Sequence, residues 1–361
     1  ADMLYDIENL IGSAHSDQLT GDTHANRLDG RAGRDVLKGG DGDDVYVVDI
    51  SADIVTELAN EGVDTVETTA TWRMSANVEN LVLIGVAAIG GVGNDFANDI
   101  RGNDEANVIS GLGGGDVIHG GAGNDTLDGG AGDDFVYGEA GNDGFRAGTG
   151  ADLFDGGADV DAVNYSTATS AVVYLDGSGV NAASAAGDVL VGIENLVGSA
   201  TGTDIFVGDA NANRLTGNGG NDRLTGRAGA DILEGGDGND RLVGEEGADV
   251  MTGGAGIDTF VFNLAPNAGG FDRITDFEAG IDKLEIDASL FGGGLVAGGA
   301  VNLVSGSTPT SAGFASGVFL YDTDDGFLYW DADGAAAGAR LAIVRLQNLP
   351  ALATGDFTVV A

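Results

Sequence analysis

Aspartate recurs at a nine-residue spacing through much of this 361-residue chain, each time inside a glycine-rich phrase. Residues 120–128 read GGAGNDTLD, and the next two phrases read GGAGDDFVY and GEAGNDGFR without a break. The common pattern is G-G-x-G-x-D-x-U-x, in which U is a large apolar residue. Aspartate supplies the hard oxygen ligand that Ca²⁺ prefers, and glycine permits the positive φ of a tight loop. The spacing therefore predicts a series of Ca²⁺-binding loops.

The nonapeptide register falls into three blocks, which begin at Gly12, Gly93 and Ser199 and contain four, eight and seven frames. Every sixth position is Asp or Asn, and every U position is apolar or aromatic. An asparagine amide adds no charge, so we expect weak or absent metal binding at the Asn frames. These frames cluster near the starts of the blocks, at Asn26, Asn98, Asn107 and Asn213.

Short strands must position these loops. The last three residues of each frame have the alternation of a very short strand with U facing inward. The inserts 48–92 and 165–198 alternate apolar and polar residues, so we expect strands that continue or cap the stack. FLYD, TDDG and FLYWDAD at 319–333 predict a strand, a turn and a strand. The predicted fold class is all-β, a solenoid of nonapeptide coils with a β-rich C-terminal cap.

The predicted organisation follows these boundaries. The ranges are block 1 at 1–47, a β insert at 48–92, block 2 at 93–164, a β insert at 165–198, block 3 at 199–261 and a cap domain at 262–361. The register weakens after Phe262, but Asp272 and Asp282 keep the sixth position and Ile274 and Leu284 keep the U position. DIENLIGSAHSD at 6–17 recurs as GIENLVGSATGTD at 192–204, so the chain begins with the lead-in to a block and we expect a longer parent protein.

Composition indicates that a cation is part of the fold. A formal net charge of −43 and 65 glycines are typical of disorder, yet 43% of the residues are hydrophobic and these are periodic. With only 15 Lys and Arg residues, the chain is not expected to bind nucleic acid or an anionic membrane surface. There is no cysteine, so disulfides and thiolate metal sites are excluded.

Two absences bear on localisation. No apolar run approaches the roughly 20 residues that span a bilayer, so membrane insertion is not expected. The first ten residues, ADMLYDIENL, lack the basic and apolar regions of a signal peptide. Oxygen-only sites of modest affinity suit the high calcium outside cells. We therefore expect an extracellular protein that is exported by a route other than a cleaved leader.

These nonapeptides resemble the RTX (repeats-in-toxin) family, which is exported by type I (ABC) secretion systems. The resemblance implies a parallel β-roll in which each Ca²⁺ lies between frame i and frame i+2, with about ten or more Ca²⁺ ions in total. DTFVF and GGFDRITDFEAGIDKLEID are similar to the C-terminal domain of serralysin-type proteins, and the final DFTVVA resembles an uncleaved secretion signal. The metal ligands that the resemblance implies are Asp17, Asp35, Asp44, Asp116, Asp125, Asp134, Asp143, Asp152, Asp161, Asp204, Asp222, Asp231, Asp240, Asp249, Asp258, Asp272 and Asp282.

No catalytic constellation is predicted. HExxH and G-x-S-x-G do not occur, and the three histidines, His15, His24 and His119, share no motif. Trp72, Trp330 and Tyr329 are more typical of core or cap residues than of a carbohydrate platform. We therefore predict a non-enzymatic, calcium-binding secreted module. Two alternatives stay open at this point: a surface-layer or adhesin segment that associates with itself or a cell surface, and the C-terminal part of a secreted hydrolase, lyase or epimerase.

Overall fold

The computed structural model describes residues 7–265, 270–311, 313–334 and 340–361. Within these ranges the chain is built almost entirely of short β-strands, with one four-residue α-helix and one 3₁₀ turn, which confirms the all-β fold class. No described helix has the length and apolar character needed to cross a lipid bilayer.

The strands before residue 165 are mostly three or four residues long, as the frames predict. They are β1 Asn9–Ile11, β2 Gln18–Thr20, β3 Arg27–Asp29, β4 Val36–Lys38, β5 Val45–Val48, β6 Ile54–Val55, β7 Thr65–Thr68, β8 Trp72–Arg73, β9 Asn80–Leu83, β10 Gly90–Val92, β11 Asp99–Arg101, β12 Val108–Ser110, β13 Val117–Ala122, β14 Thr126–Asp128, β15 Phe135–Ala140, β16 Gly144–Arg146, β17 Leu153–Asp155 and β18 Ala162–Asn164.

The remaining strands include longer ones in the third block and in the C-terminal region. They are β19 Ala171–Tyr174, β20 Ala182–Ala183, β21 Val189–Val191, β22 Asn195–Val197, β23 Ile205–Val207, β24 Arg214–Gly219, β25 Arg223–Gly229, β26 Ile232–Asp237, β27 Arg241–Gly247, β28 Val250–Ala255, β29 Thr259–Phe262, β30 Asp272–Ile274, β31 Lys283–Asp287, β32 Leu303–Gly306, β33 Val318–Asp322, β34 Phe327–Asp331, β35 Leu341–Leu346 and β36 Phe357–Val360. The helix α1 spans Ala288–Phe291, and the 3₁₀ turn spans Thr354–Asp356.

The chain divides into two compact units, Ala1–Asn164 with Ala186–Ile193, and Tyr165–Ala185 with Glu194–Ala361. In the first unit, consecutive strands alternate between separate parallel sheets. One sheet has the order β1-β3-β5-β7-β9-β11-β13-β15-β17-β21, and the other strands run as β2-β4-β6 and as β8-β10-β12-β14-β16-β18. Strands β7 and β9 of the first insert pair in register with β5 and β11, which confirms that this insert continues the stack.

The second unit repeats this architecture. One sheet has the order β20-β19-β23-β25-β27-β29-β31-β36, and the other run is β22-β24-β26-β28-β30-β35-β34-β33-β32. Strands β30 and β31 pair in parallel with β28 and β29, so the coil register survives past Phe262 as predicted. The strand-turn-strand prediction for 319–333 is also confirmed, because β33 and β34 pair antiparallel.

Each unit is therefore a parallel β-solenoid in which two nonapeptide frames make one coil. Within the blocks, strand partners are 18 residues apart, for example Ile118 and Val136, or Leu224 and Leu242. From Leu28 onward every U residue of the three blocks is at most 1% exposed, whereas Leu19 in the first block is half-buried. The core is thus a column of one large side chain per frame, filled by the hydrophobic effect.

The loops that join the strands bring backbones very close together. Gly132 has φ +132°, and a Cβ at this position would overlap the carbonyl oxygen of Gly114 in the coil below. No residue with a side chain fits here without moving one loop away from the other.

Replacing Gly132 with alanine should therefore destabilise the first unit. We expect the free energy of unfolding in saturating calcium to fall by at least about 2 kcal/mol, because the substitution adds backbone strain and a steric overlap. Thermal unfolding followed by calorimetry measures the change. The matched control is Gly306→Ala in β32, where a Cβ would meet nothing within 4 Å. Equal transition temperatures for the two variants would contradict this account of the loops.

Candidate metal centres

A ladder of hydrogen bonds from backbone to side chain runs through the stacked loops. The sixth-position Asp of one coil accepts, through Oδ1, a hydrogen bond from the backbone N–H of the sixth residue in the coil before it. The Asp116 N–H donates to Asp134 Oδ1 at 2.8 Å, and the Asp222 N–H donates to Asp240 Oδ1 at 2.7 Å. The same bond recurs down both units, so each carboxylate is fixed in one orientation.

The second oxygen of these carboxylates is buried and has no hydrogen-bond donor among the described residues. Burying a carboxylate oxygen without a partner is costly, and a cation removes this cost. The Oδ2 atoms in this position belong to Asp35, Asp44, Asp53, Asp64, Asp116, Asp125, Asp134, Asp143, Asp222, Asp231, Asp240, Asp249 and Asp258.

Backbone carbonyls lie beside these oxygen atoms. A Cβ built at Gly138 would overlap Asp143 Oδ2 and approach the carbonyl oxygen of Gly156, so both oxygen atoms lie at the face of this glycine. Gly217 has the same relation to Asp222 Oδ2 and to the carbonyl oxygen of Gly235. Carboxylate and carbonyl oxygens are the ligands of Ca²⁺. The donor set of these loops therefore fits the ion that the sequence predicts.

The structure separates two kinds of loop that the consensus pattern does not distinguish. We call a loop open when its second residue has positive φ and its sixth-position Asp Oδ2 lacks a hydrogen-bond donor. The second residues of the open loops are Arg31, Gly40, Leu112, Gly121, Gly130, Glu139, Asn218, Arg227, Gly236, Glu245 and Gly254. We call a loop capped when a backbone N–H near its start donates to the sixth-position side chain.

Capped loops lie at the starts of the blocks, and in them the side-chain oxygen of the sixth residue already has a backbone donor. The Asn103 N–H donates to Asn107 Oδ1 at 2.8 Å, and Asn107 Nδ2 donates to the Ile89 carbonyl at 2.9 Å. Here a backbone N–H lies against the side-chain oxygen, in the position that an open loop leaves free for a cation. The same N–H cap occurs at Asn26, Asn98 and Asn213. This geometry supports the expectation that Asn frames bind metal weakly or not at all.

Three of the aspartates named as ligands also lie in capped loops. Asp17 Oδ2 accepts hydrogen bonds from Ser13 N–H and Oγ, and Asp204 Oδ2 accepts them from Ser199 N–H and Oγ. Asp282 Oδ2 accepts the Glu278 N–H at 2.7 Å. A metal at these three positions stays a prediction, and it would have to share oxygen atoms that are already bonded.

The other aspartates predicted as ligands also accept the hydrogen bond of the ladder. Asp152 and Asp161 accept the N–H groups of Asp134 and Asp143 through Oδ1. Asp272 accepts the Asp249 N–H at 3.1 Å, and its pKa is raised to about 8, first by burial and then by the charge of Asp249.

Sequence reasoning missed three members of the ladder because they lie in the inserts, outside the glycine pattern. Asp53, Asp64 and Asp188 accept the N–H groups of Asp35, Asp44 and Asp152 through Oδ1. Each begins the tripeptide D-x-U, in which U is Val55, Val66 or Leu190 and pairs with a core residue of the coil before it. The D-x-U spacing is the feature of the sequence that could have identified these three aspartates.

Burial raises the pKa of several ladder carboxylates. The pKa rises to about 7 for Asp222 and Asp231 and to about 6 for Asp116, Asp134 and Asp143. In each case desolvation is the largest cause, and the hydrogen bond from the preceding coil partly opposes it.

The histidines and tryptophans do not extend the site. His119 stacks on Tyr137 and its Nδ1 lies 2.8 Å from Glu139 Oε1, and His24 Nδ1 lies 3.1 Å from Asp22. Trp330 is 1% exposed and donates to the Phe291 carbonyl, so it is a core residue. Trp72 is also buried.

Fold and ladder together define a calcium-binding β-solenoid. Parts of the chain match the family described as RTX calcium-binding nonapeptide repeat (4 copies), over residues 11–46, 20–55, 90–127, 110–145, 199–233 and 225–260. The chain carries RTX calcium-binding nonapeptide repeats and folds as an RTX β-roll. No curated protein matches the chain significantly in sequence.

Two solved structures illustrate the resemblance. A subunit of the mannuronan C5-epimerase from Azotobacter vinelandii is 30% identical over 44% of this chain and 79% of that subunit, with a TM-score of 0.19. The extracellular lipase LipA from Serratia marcescens is 15% identical over 82% of this chain and 45% of the lipase, with a TM-score of 0.27. The chain thus spans less than half of the length of that lipase.

Without calcium, the free energy of unfolding should decrease as the pH rises towards neutrality. A carboxyl whose pKa is raised in the folded state binds more protons folded than unfolded, so its contribution is full below about pH 4 and is lost as the pH rises through about 6 to 7. In EDTA we therefore expect the free energy of unfolding to decrease from pH 5 to pH 7.5. The β content in EDTA, followed by far-UV circular dichroism from pH 5 to pH 7.5, measures this change. A β content that is constant or increases over that range would contradict it.

Substituting one open-loop aspartate should remove metal without removing the fold. Asp134 lies between Asp116 and Asp152 in the ladder, so Asp134→Asn should lose one or two bound Ca²⁺ ions, about 1–3 kcal/mol of calcium-dependent stability. In EDTA the variant should be no less stable than the parent, since asparagine already serves in the capped loops. The exposed Asp104→Asn is the control with equal charge change. Native mass spectrometry counts the ions, and equal counts for both variants would refute this ligand role.

Proposed function

We propose that this chain is a calcium-dependent folding module of a secreted protein. One observation carries the proposal: buried Oδ2 atoms without donors recur coil after coil in both units. A calcium ion would supply the positive charge that these oxygens lack.

Charge makes calcium binding and folding a single event. Successive open-loop aspartates such as Asp116 and Asp134 stand above one another, and the charge of Asp116 adds to burial in raising the pKa of Asp134. Without a cation the folded state must either protonate these groups or accept their repulsion. In the unfolded chain the same carboxylates are hydrated and far apart. Calcium therefore stabilises the folded state selectively, and its binding free energy becomes folding free energy.

This coupling suits export as an unfolded chain. At low cytosolic calcium the acidic chain stays extended and can be threaded through a type I (ABC) exporter, and at about millimolar calcium outside the cell it folds. Folding outside prevents the chain from sliding back, which gives the transport a direction. The RTX repeats support this localisation.

The C-terminal region provides a starting point for such folding. The final residues 357–360 form β36, which pairs in parallel with β31 from Leu284 to Asp287. Phe357 packs against Phe319, which also contacts Phe291 and Trp330. In our proposal this apolar cap, which resembles the serralysin-type C-terminal domain, leaves the exporter first and presents an edge on which the calcium coils assemble.

A calcium titration of the isolated chain tests the proposal. We expect a transition from disordered to β-rich far-UV circular dichroism, with about ten or more ions bound by calorimetry, and reversal by EDTA. Magnesium at the same concentration is the control, because it demands a smaller octahedral site. The same β content in EDTA and in calcium would overturn the proposal. Light scattering distinguishes the alternative of an assembling surface segment, for which particle size grows with calcium.

A further inference from the structure

Three buried carboxylates converge where the first block meets the first insert. Asp44 is the last ladder residue of the first block, and Asp64 is the next ladder residue, in the first insert. Glu57 lies in the connection between β6 and β7. One oxygen atom from each of the three lies within 4.8 Å of the others. Asp44 and Asp64 are each 1% exposed and Glu57 is 5% exposed. Glu57 belongs to no nonapeptide frame, so the repeat pattern does not explain its position.

The two aspartates each have one oxygen atom already engaged. Asp44 Oδ1 accepts the Asn26 N–H at 2.7 Å, and Asp64 Oδ1 accepts the Asp44 N–H at 2.8 Å. Their Oδ2 atoms and both Oε atoms of Glu57 are buried without a hydrogen-bond donor among the described residues. None of the three forms a salt bridge with a described basic residue.

The backbone around Glu57 holds its side chain in this position. Its carbonyl accepts a hydrogen bond from Asn77 Nδ2 at 3.2 Å, and the next residue, Leu58, donates its N–H to Glu61 Oε2 at 2.8 Å. The Gly42 N–H also donates to the Glu61 carbonyl, which fastens this connection to the loop of the fourth frame. The connection is therefore bonded on both sides of the buried carboxylate.

The spacing of the oxygen atoms suits one cation. Ca²⁺ binds oxygen at 2.3–2.6 Å, so oxygen atoms on opposite sides of the ion are about 5 Å apart. Oxygen atoms within 4.8 Å of one another can therefore share one ion. An ordinary pair of open loops offers two carboxylates together with carbonyls, whereas this position offers three carboxylates.

The geometry points to a three-carboxylate divalent-cation site formed by Asp44, Glu57 and Asp64, which binds its ion more tightly than the two-aspartate loops. Affinity of oxygen sites increases with the number of charged ligands and with their rigidity. This position offers three carboxylates, and the connection that carries Glu57 is held by hydrogen bonds. The site rests on its own geometry; only the identity of the ion as calcium rests on the proposed function. It is the position in the first unit that fills at the lowest calcium concentration.

Tyr46 provides a local reporter. A Cβ built at Gly39 would overlap both Asp44 Oδ2 and Tyr46 Oη, so the phenol lies beside the proposed ion. The hydroxyl accepts the Gly39 N–H at 2.7 Å, and the side chain is fully buried. Terbium substitutes for calcium in oxygen sites and emits when a nearby tyrosine transfers excitation to it.

The test compares the full chain with Glu57→Gln and with the control Glu105→Gln, which changes an exposed glutamate in a capped loop. Calorimetric calcium titration should show that Glu57→Gln weakens the tightest class of site about 10- to 100-fold while Glu105→Gln leaves it unchanged. The first equivalent of Tb³⁺ should produce tyrosine-sensitised emission in the parent chain. Glu57→Gln and Tyr46→Phe should each reduce this emission, and Glu105→Gln should not.

Two further measurements keep the result interpretable. Far-UV circular dichroism in saturating calcium shows whether Glu57→Gln folds, and urea unfolding at two calcium concentrations, one just sufficient for folding and one saturating, shows the effect of removing the buried charge. We expect the urea midpoint of Glu57→Gln to rise less between the two calcium concentrations than that of the parent chain; a purely structural glutamate would shift both midpoints equally.

Failure of this site and failure of the proposed function give different results. If folded Glu57→Gln and the parent chain have superimposable calcium titrations, Glu57 is no ligand and the inference is overturned, while calcium-dependent folding stands. If the parent chain itself binds no calcium, the proposed function falls; the three-carboxylate site then stands if the first equivalent of Tb³⁺ still gives emission that Glu57→Gln reduces, and falls if it does not.

Discussion

The hydrogen bond from the backbone N–H of one coil to Asp Oδ1 of the next is the interaction on which the rest of this structure depends. In the Asp116–Asp134 pair, as along the ladder, it holds neighbouring coils in register. It also fixes the rotation of the carboxylate, so that Oδ2 is directed to the interior of the loop. A buried charge that water would otherwise solvate is thereby placed for a cation.

The ladder also explains why the second residue of a frame matters more than the consensus suggests. Where the second residue has positive φ, as at Gly121, the loop is open and Oδ2 stays without a donor. Where Asn103 stands there instead, its N–H caps the sixth side chain. Leu112 and Glu139 adopt positive φ although they have side chains, at a cost of about 1–2 kcal/mol each. At these two residues, backbone strain accompanies a loop that stays open.

Sequence predicted the periodic part of the molecule well, because a strict nine-residue spacing leaves few arrangements for the apolar residues. The column of U residues, the strands of the first insert and the decayed coils at Ile274 and Leu284 all follow from alternation. Sequence could not show how the loops of Asp17 and Asp204 differ from that of Asp134, since the cap depends on backbone torsions at the second residue. It also missed Asp53, Asp64 and Glu57, which lie outside the nonapeptide glycine pattern.

The first two loops of each block are capped, and open loops follow them. Capped loops close their polar groups with the chain's own amides, so Asn98 and Asn107 are compatible with a folded coil at any calcium concentration. Open loops are complete only when a cation or protons neutralise them. In the proposed calcium-dependent folding, the capped loops at the start of a block would hold without the ion, and the open coils that follow them would need it. In a chain with 58 acidic residues, that arrangement limits electrostatic repulsion at the first coil, where the fewest neighbours are available to offset it.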